Sequence, residues 1–120
     1  MSKKGQLLVF SNAKPGAEAE FNAWYDRQHV PDTLRIAPEI HSAQRFSLNT
    51  IAAAPGAPTW QYVTLYEVDA EHVDEVLQRM NEAMAGGKIP MSDTAELSSV
   101  TVLYGTALGA PVLNRVAENA

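Results

Sequence analysis

"FNAWYDRQHVPD", Phe21 to Asp32, decides how the chain around it folds. From about Ala17 to about His29 the residues Ala17, Phe21, Trp24 and Gln28 recur at i, i+4, i+7 and i+11, the spacing of one helix face. At about 100° per residue the stripe centres between Phe21 and Trp24, which should dock on a core. Asn22, Tyr25 and His29 fall on one shoulder, while Ala23 and Arg27 point away. Val30-Pro31 is expected to interrupt this helix, because proline lacks a donor and disfavours α geometry before it, or to open a second short helical turn.

Working outward, "QLLVFSN" (Gln6 to Asn12), closed by "AKPG", reads as a mostly buried strand and a turn. "IHSAQRFSLNT" (Ile40 to Thr50) alternates as a strand, with Ile40, Phe46 and Leu48 on one face and His41, Ala43, Arg45 and Ser47 on the other. "IAAAPGAPT" supplies a hairpin loop. "WQYVTLYEV" (Trp60 to Val68) is a third strand with Trp60, Tyr62, Thr64 and Tyr66 on one face and Val63 and Leu65 on the other. Asp69 is placed to cap a second helix, whose Val73, Val76, Leu77, Met80 and Met84 repeat at helical spacing until Gly86-Gly87 ends it. A loop over 86–95 leads to a Val/Thr-rich fourth strand, Glu96 to Leu108, and 109–120 is a tail.

The order βαββαβ predicts an α+β, ferredoxin-like fold: a four-stranded antiparallel sheet with both helices on one face, in a single domain spanning 1–120. Two helices cover one sheet face only. With Trp60, Tyr62 and Tyr66 expected on the other, a monomer would expose a large apolar patch, and the simplest cover is a second copy. The expectation is a homodimer through sheet faces, closing a barrel with a cavity.

Composition narrows the function. The 120 residues are 46% hydrophobic, enough for a real core, and the formal net charge of −5 argues against a phosphate-binding surface. The one basic cluster is Lys3-Lys4. Zero cysteines exclude disulfides, thiolate ligands and cysteine nucleophiles. The apolar run near the start is too short for a signal core or a membrane span, so a cytoplasmic location is expected. No nucleophile elbow, phosphate-cradling glycine loop or dinucleotide fingerprint occurs. His29, His41 and His72 lie on different elements, which gives little support to a metal site.

Histidine suits proton transfer, so His29 is the candidate acid/base, although it could instead cap the helix end. Tyr25 could donate to a developing oxyanion, or pack its ring with the hydroxyl at the surface. Arg45 could hold a substrate carboxylate or phenolate, or pair with Glu67 or Asp26. Asn22 could orient a carbonyl or the imidazole, and His41 could be a second acid/base group. Trp60, Tyr62, Tyr66 and Tyr104 would line the substrate's ring, or simply pack. Asp26 reads as a surface ion-pair partner and Asp32 as a cap for the next turn.

The run from Phe21 to Phe46, "FNAWYDRQHVPDTLRIAPEIHSAQRF", resembles the amino-terminal signature of EthD-like proteins of the dimeric α+β barrel superfamily. The shared pattern is a helix ending in Trp-Tyr, a His four residues after the Tyr, a Pro two beyond it, and a Gly-Phe-x-x-x-x-Arg strand, with Glu39-Ile40 here in place of Gly-Phe. The resemblance covers residues 5 to 48 in detail. It implies the same dimeric barrel and a range of chemistries that includes isomerases, lyases and cofactor-free monooxygenases. The leading expectation is a cofactor-independent lyase or isomerase, with His29 moving a proton and Tyr25 and Arg45 stabilising negative charge. Its substrate would be a small hydrophobic, cyclic or aromatic oxygenated molecule. The alternatives are a non-enzymatic ligand-binding barrel, a cofactor-free monooxygenase, and an interaction protein whose aromatic face makes only a dimer.

Overall fold

A computed structural model describes residues 4–115. Its elements are β1 (Gly5–Ala13), α1 (Glu18–Trp24), a π-helical turn (Tyr25–His29), α2 (Val30–Ile36), β2 (Ser42–Ser47), β3 (Tyr62–Glu67), α3 (Val73–Ala85) and β4 (Ala95–Thr106). The strands form one antiparallel sheet in the order β2-β3-β1-β4. This is the α+β, ferredoxin-like arrangement expected from βαββαβ. Of the basic pair only Lys4 is described, and positions 116–120 of the expected tail lie outside the described residues. No helix of the described residues is long and apolar enough to cross a membrane.

The registers Leu7↔Tyr66, Val9↔Thr64, Leu7↔Tyr104 and Arg45↔Thr64 assign the sheet's faces. Leu7 and Tyr66 pack with Ala37, Val76 and Met80, so this face carries the helices. Opposite them Leu8, Phe10, Val63, Leu65, Leu103 and Phe46 share the helix-free face. The expected facing of β3 is therefore inverted: Tyr62 and Tyr66 point to the helices, and Val63 and Leu65 away. Alternation identifies which residues share a face, but not which face the helices cover.

Trp60 precedes β3, and the alternation breaks at Gln61, whose N–H donates to Asn12 Oδ1 at 2.7 Å. Trp60 consequently leaves Tyr62's side and packs on Phe10, ring centroids 4.7 Å apart, with its indole donating to the Ser99 carbonyl at 2.9 Å. Ile40 precedes β2 and is buried in the helix-side core rather than sharing Phe46's face.

Pro31 reshapes the first helix instead of ending it. Trp24, Tyr25, His29 and Val30 all keep right-handed helical dihedrals, and the Val30 N–H bonds to the Tyr25 carbonyl, five residues back. The ladder has thus slipped by one residue where the proline donor is missing. The slip also explains burial. Phe21, Tyr25, His29, Thr33 and Ala37 are all buried at a constant spacing of four. On α pitch each such step drifts by about 40°, and one extra residue in a turn takes back about 100°.

The second helix starts later than expected. His72 occupies its N-cap, and Asp69 sits in the preceding turn, where its carbonyl accepts from the His72 N–H at 3.0 Å. Gly86 ends the helix and Gly87 turns the chain with φ +77. At the position of the expected Gly-Phe, Glu39 accepts both arms of Arg79 at 2.6 and 2.8 Å, tying the end of α2 to α3, and Ile40 fills the core.

Candidate functional site

Between the helices and the sheet lies a cavity of about 180 Å³. Leu7 and Val9 of β1, Leu77, Met80 and Met84 of α3, and Val100 and Val102 of β4 form its apolar body. Ser11 joins them beside a register shift in the β1–β4 pairing, a bulge of the kind that re-aims a side chain. The loop after α3 contributes Met91, and the Trp24 indole holds that loop by donating to the Pro90 carbonyl at 3.1 Å.

The helix's wide turn supplies the polar end. His29 is buried, its ring 4.7 Å from Trp24 and 4.9 Å from Tyr25, and its Nδ1 has no hydrogen-bond partner. Burial lowers its pKa to about 4; the Arg45 charge pushes the same way, and Asp32 opposes both. The imidazole is neutral at pH 7 and can accept or donate. It does not act as a charged cap.

Tyr25 buries both ring and hydroxyl, contrary to a shoulder position. Burial raises its pKa, and Thr64, Tyr66 and the Arg45 charge offset only part of this. Tyr66 is fully buried, and its phenol is raised well above the ordinary value, chiefly by burial and then by Tyr25. Its hydroxyl lies near those of Tyr25 and Thr33 without a hydrogen bond of standard geometry. The Thr33 Oγ1, one helical turn beyond His29, is likewise unpartnered. Buried polar atoms in this state are costly, about 1–3 kcal/mol each, and three of them cluster here.

Arg45 does not line this cavity. Its guanidinium lies 4.4 Å from the Tyr25 ring centroid and donates to Asp26 Oδ1 and Asn22 Oδ1, both at 2.8 Å. Asn22 in turn donates to the Tyr62 hydroxyl at 3.1 Å. Arg45, Asn22 and Tyr62 line a separate open groove, and the Tyr62 ring stacks on Phe21. The expected site therefore divides, with His29, Tyr25 and Tyr66 at the cavity and Arg45 and Asn22 supporting Tyr25 from outside it.

The remaining candidates lie elsewhere. His41 is exposed, 3.4 Å from Asp69 Oδ1. Tyr104 donates to the Val68 carbonyl at 2.7 Å and passes over Gly5, where a side chain would collide with its hydroxyl. Trp60 is on the opposite sheet face. Thr33 is not among the residues that the sequence pattern proposes, although the spacing of four from Phe21 through Ala37 marks it. Met80, Met84 and Leu77 read as core and carry no sequence signal of a cavity. Among the described residues no group of three His, Cys, Asp or Glu could hold a metal ion.

No protein-family model matches the sequence, and no curated protein matches it. Solved structures do match in three dimensions. An ethyl tert-butyl ether D (EthD) family protein from Bacillus halodurans superposes with a TM-score of 0.61 and 19% identity, over 88% of this chain and 99% of that one. An EthD-like protein from Ralstonia eutropha gives a TM-score of 0.61 and 12% identity, over 92% and 97% of the two chains.

Proposed function

We propose, for a chain that has the ferredoxin-like α+β fold of EthD-family proteins, that it is a cofactor-independent lyase or isomerase acting by proton transfer in the helix–sheet cavity. The observation that carries this reading is His29: a neutral imidazole with an unpartnered Nδ1 at the wall of an apolar cavity. Such a base takes a proton only from an acidified position, for example a carbon beside a carbonyl. The phenols of Tyr25 and Tyr66 are kept protonated by burial and can donate to the oxygen on which negative charge develops. The imidazolium formed then returns its proton to another atom of the substrate, giving isomerisation, or assists departure of a leaving group, giving elimination. Arg45 is a positioning residue for Tyr25. A dry, mostly apolar cavity strengthens each of these interactions.

Surrogate ketones are enough to test this. Small cyclic ketones incubated with the protein in D₂O are expected to exchange α-protons, followed by NMR. His29→Ala should reduce that exchange by about 10²- to 10⁴-fold, the usual contribution of a positioned acid/base group, while the circular dichroism spectrum stays native. Exchange that survives in His29→Ala removes His29 from the mechanism, and its absence in the unaltered protein across the ketones argues for a binding barrel instead.

The reading includes a homodimer through the helix-free face, together forming a barrel. Supporting it is the apolar character of that face, where Leu103 and Phe46 remain 52% and 41% exposed beside half-buried Leu8, Phe10 and Leu65. Stable pairs bury about 1,600 Å² in total, within reach of a four-stranded sheet face. Sedimentation equilibrium should give twice the chain mass, and Leu65→Asp, a charge at the centre of that face, should give the monomer mass. A monomer for the unaltered chain at micromolar concentration would contradict the pairing.

A further inference from the structure

The side chains around the cavity say more about the ligand than its size does. We infer that the cavity takes an uncharged molecule of about one ring, bearing a hydrogen-bonding oxygen, and excludes carboxylates of the same shape. This rests on the cavity being the site proposed above, and it names the ligand class.

Size comes first. A dry cavity of about 150 Å³ accommodates benzene, so about 180 Å³ suits a six-membered ring with one small substituent. Met80, Met84 and Met91 on its wall are unbranched and polarisable, and adapt to saturated or aromatic rings alike.

Charge decides the class. Every polar side chain lining the cavity is formally uncharged: Ser11, Trp24, Tyr25, Tyr66 and Asn81, with His29 held neutral by burial. Arg45, the nearest candidate for an anion clamp, is committed to Asp26 and Asn22 and faces the other groove. A carboxylate entering the cavity would lose its hydration and meet no cation, a penalty that proteins rarely offset without a partner. A neutral carbonyl or hydroxyl costs far less to desolvate. It also meets the unpartnered His29 Nδ1 and Tyr66 Oη, both on residues more than nine-tenths buried. Each of these atoms can donate or accept, so ketones, lactones, alcohols and phenols all fit. The Thr33 hydroxyl beside Tyr66 can relay a hydrogen bond to it when the ligand oxygen engages the phenol.

Matched pairs test this at pH 7 by isothermal titration and thermal unfolding: phenol against benzoate, and cyclohexanone against cyclohexanecarboxylate. The neutral member of each pair should bind saturably and raise the unfolding midpoint. The carboxylate should bind roughly 100-fold more weakly or worse. Tyr66→Phe, which keeps the ring, should weaken phenol about tenfold by removing one buried hydrogen-bond partner, and leave benzene binding unchanged. Equal affinity within either pair overturns the inference. So does unchanged phenol binding in Tyr66→Phe, or no binding of either neutral ligand. Neutral binding with no proton exchange sinks the catalytic proposal alone, whereas exchange confined to carboxylate-bearing ketones sinks this one and leaves that proposal standing.

Discussion

Phe21→Ala should lower the unfolding free energy by about 3–5 kcal/mol, the range for emptying a buried aromatic site. Phe21 is fully buried and is the anchor of α1 on the sheet. Its ring meets Tyr62 at 5.3 Å, Tyr25 at 5.4 Å and Trp24 at 6.0 Å, with the Arg45 guanidinium 5.7 Å from its centroid. Alanine removes all four contacts at once and opens a void against the ligand cavity, which the rigid β1–β3 pairing cannot collapse to fill. Domains of this size are stable by about 5–15 kcal/mol, so the variant would stand near its unfolding threshold. Urea denaturation measures the loss. Phe21→Leu separates bulk from ring, because aromatic pairs add about 0.5–1.5 kcal/mol beyond their buried area. A loss below about 1 kcal/mol for alanine would mean that Phe21 does not seat the helix.

The second large effect is a pH dependence. In the unfolded chain His29 titrates near its ordinary 6.5, and in the fold near 4. Between those values the unfolded state binds a proton that the folded state does not. Stability from this group is therefore full above about pH 6.5, falls as pH drops through the window, and levels off below about 4. The loss is on the order of 3 kcal/mol, from about 1.4 kcal/mol per pKa unit. Asp32 and Arg45 are the charges that act on the imidazole, and the Trp24 and Tyr25 rings enclose it. Denaturant midpoints between pH 7 and pH 4 should slope steeply in the unaltered protein and less so in His29→Gln. Glu39, held at about 2 by Arg79, titrates in both proteins and cancels in the comparison. Parallel slopes would show that His29 is solvated in the fold. The same depression keeps the base active at pH 5, where an ordinary histidine would be protonated.

Both effects arise in a helix that the sequence reveals only in part. Periodicity and turn residues give the element order and the sheet, because burial on alternate sides and at helical spacing is what the apolar pattern records. The helix face is harder. A wheel drawn at uniform α pitch pairs Phe21 with Trp24 and sets Tyr25 and His29 aside, yet Tyr25 and His29 are the buried ones. Their spacing of four is present in the sequence, and Pro31 signals why pitch should change there. The inverted facing of Tyr62 and Tyr66 has a different origin. Both faces of β3 are apolar, and which one the helices cover follows from the crossover connections, to which strand composition is blind. Arg45's groove partners, Asp26 and Asn22, come from a helix that crosses β2 only in three dimensions.

The wide turn at Tyr25–His29 also bears on how such a site arises. It holds one residue more than an α-helix would need, as the Tyr25-to-Val30 hydrogen bond records. Loss of any single codon between 25 and 29 would restore α pitch and rotate everything downstream by about 100°. His29 and Thr33 would then leave the cavity even though neither had been replaced. In a lineage carrying this helix, the count of residues in that turn is inherited as strictly as their chemistry. A gap there is a more telling sign of changed function than a substitution at His29 itself.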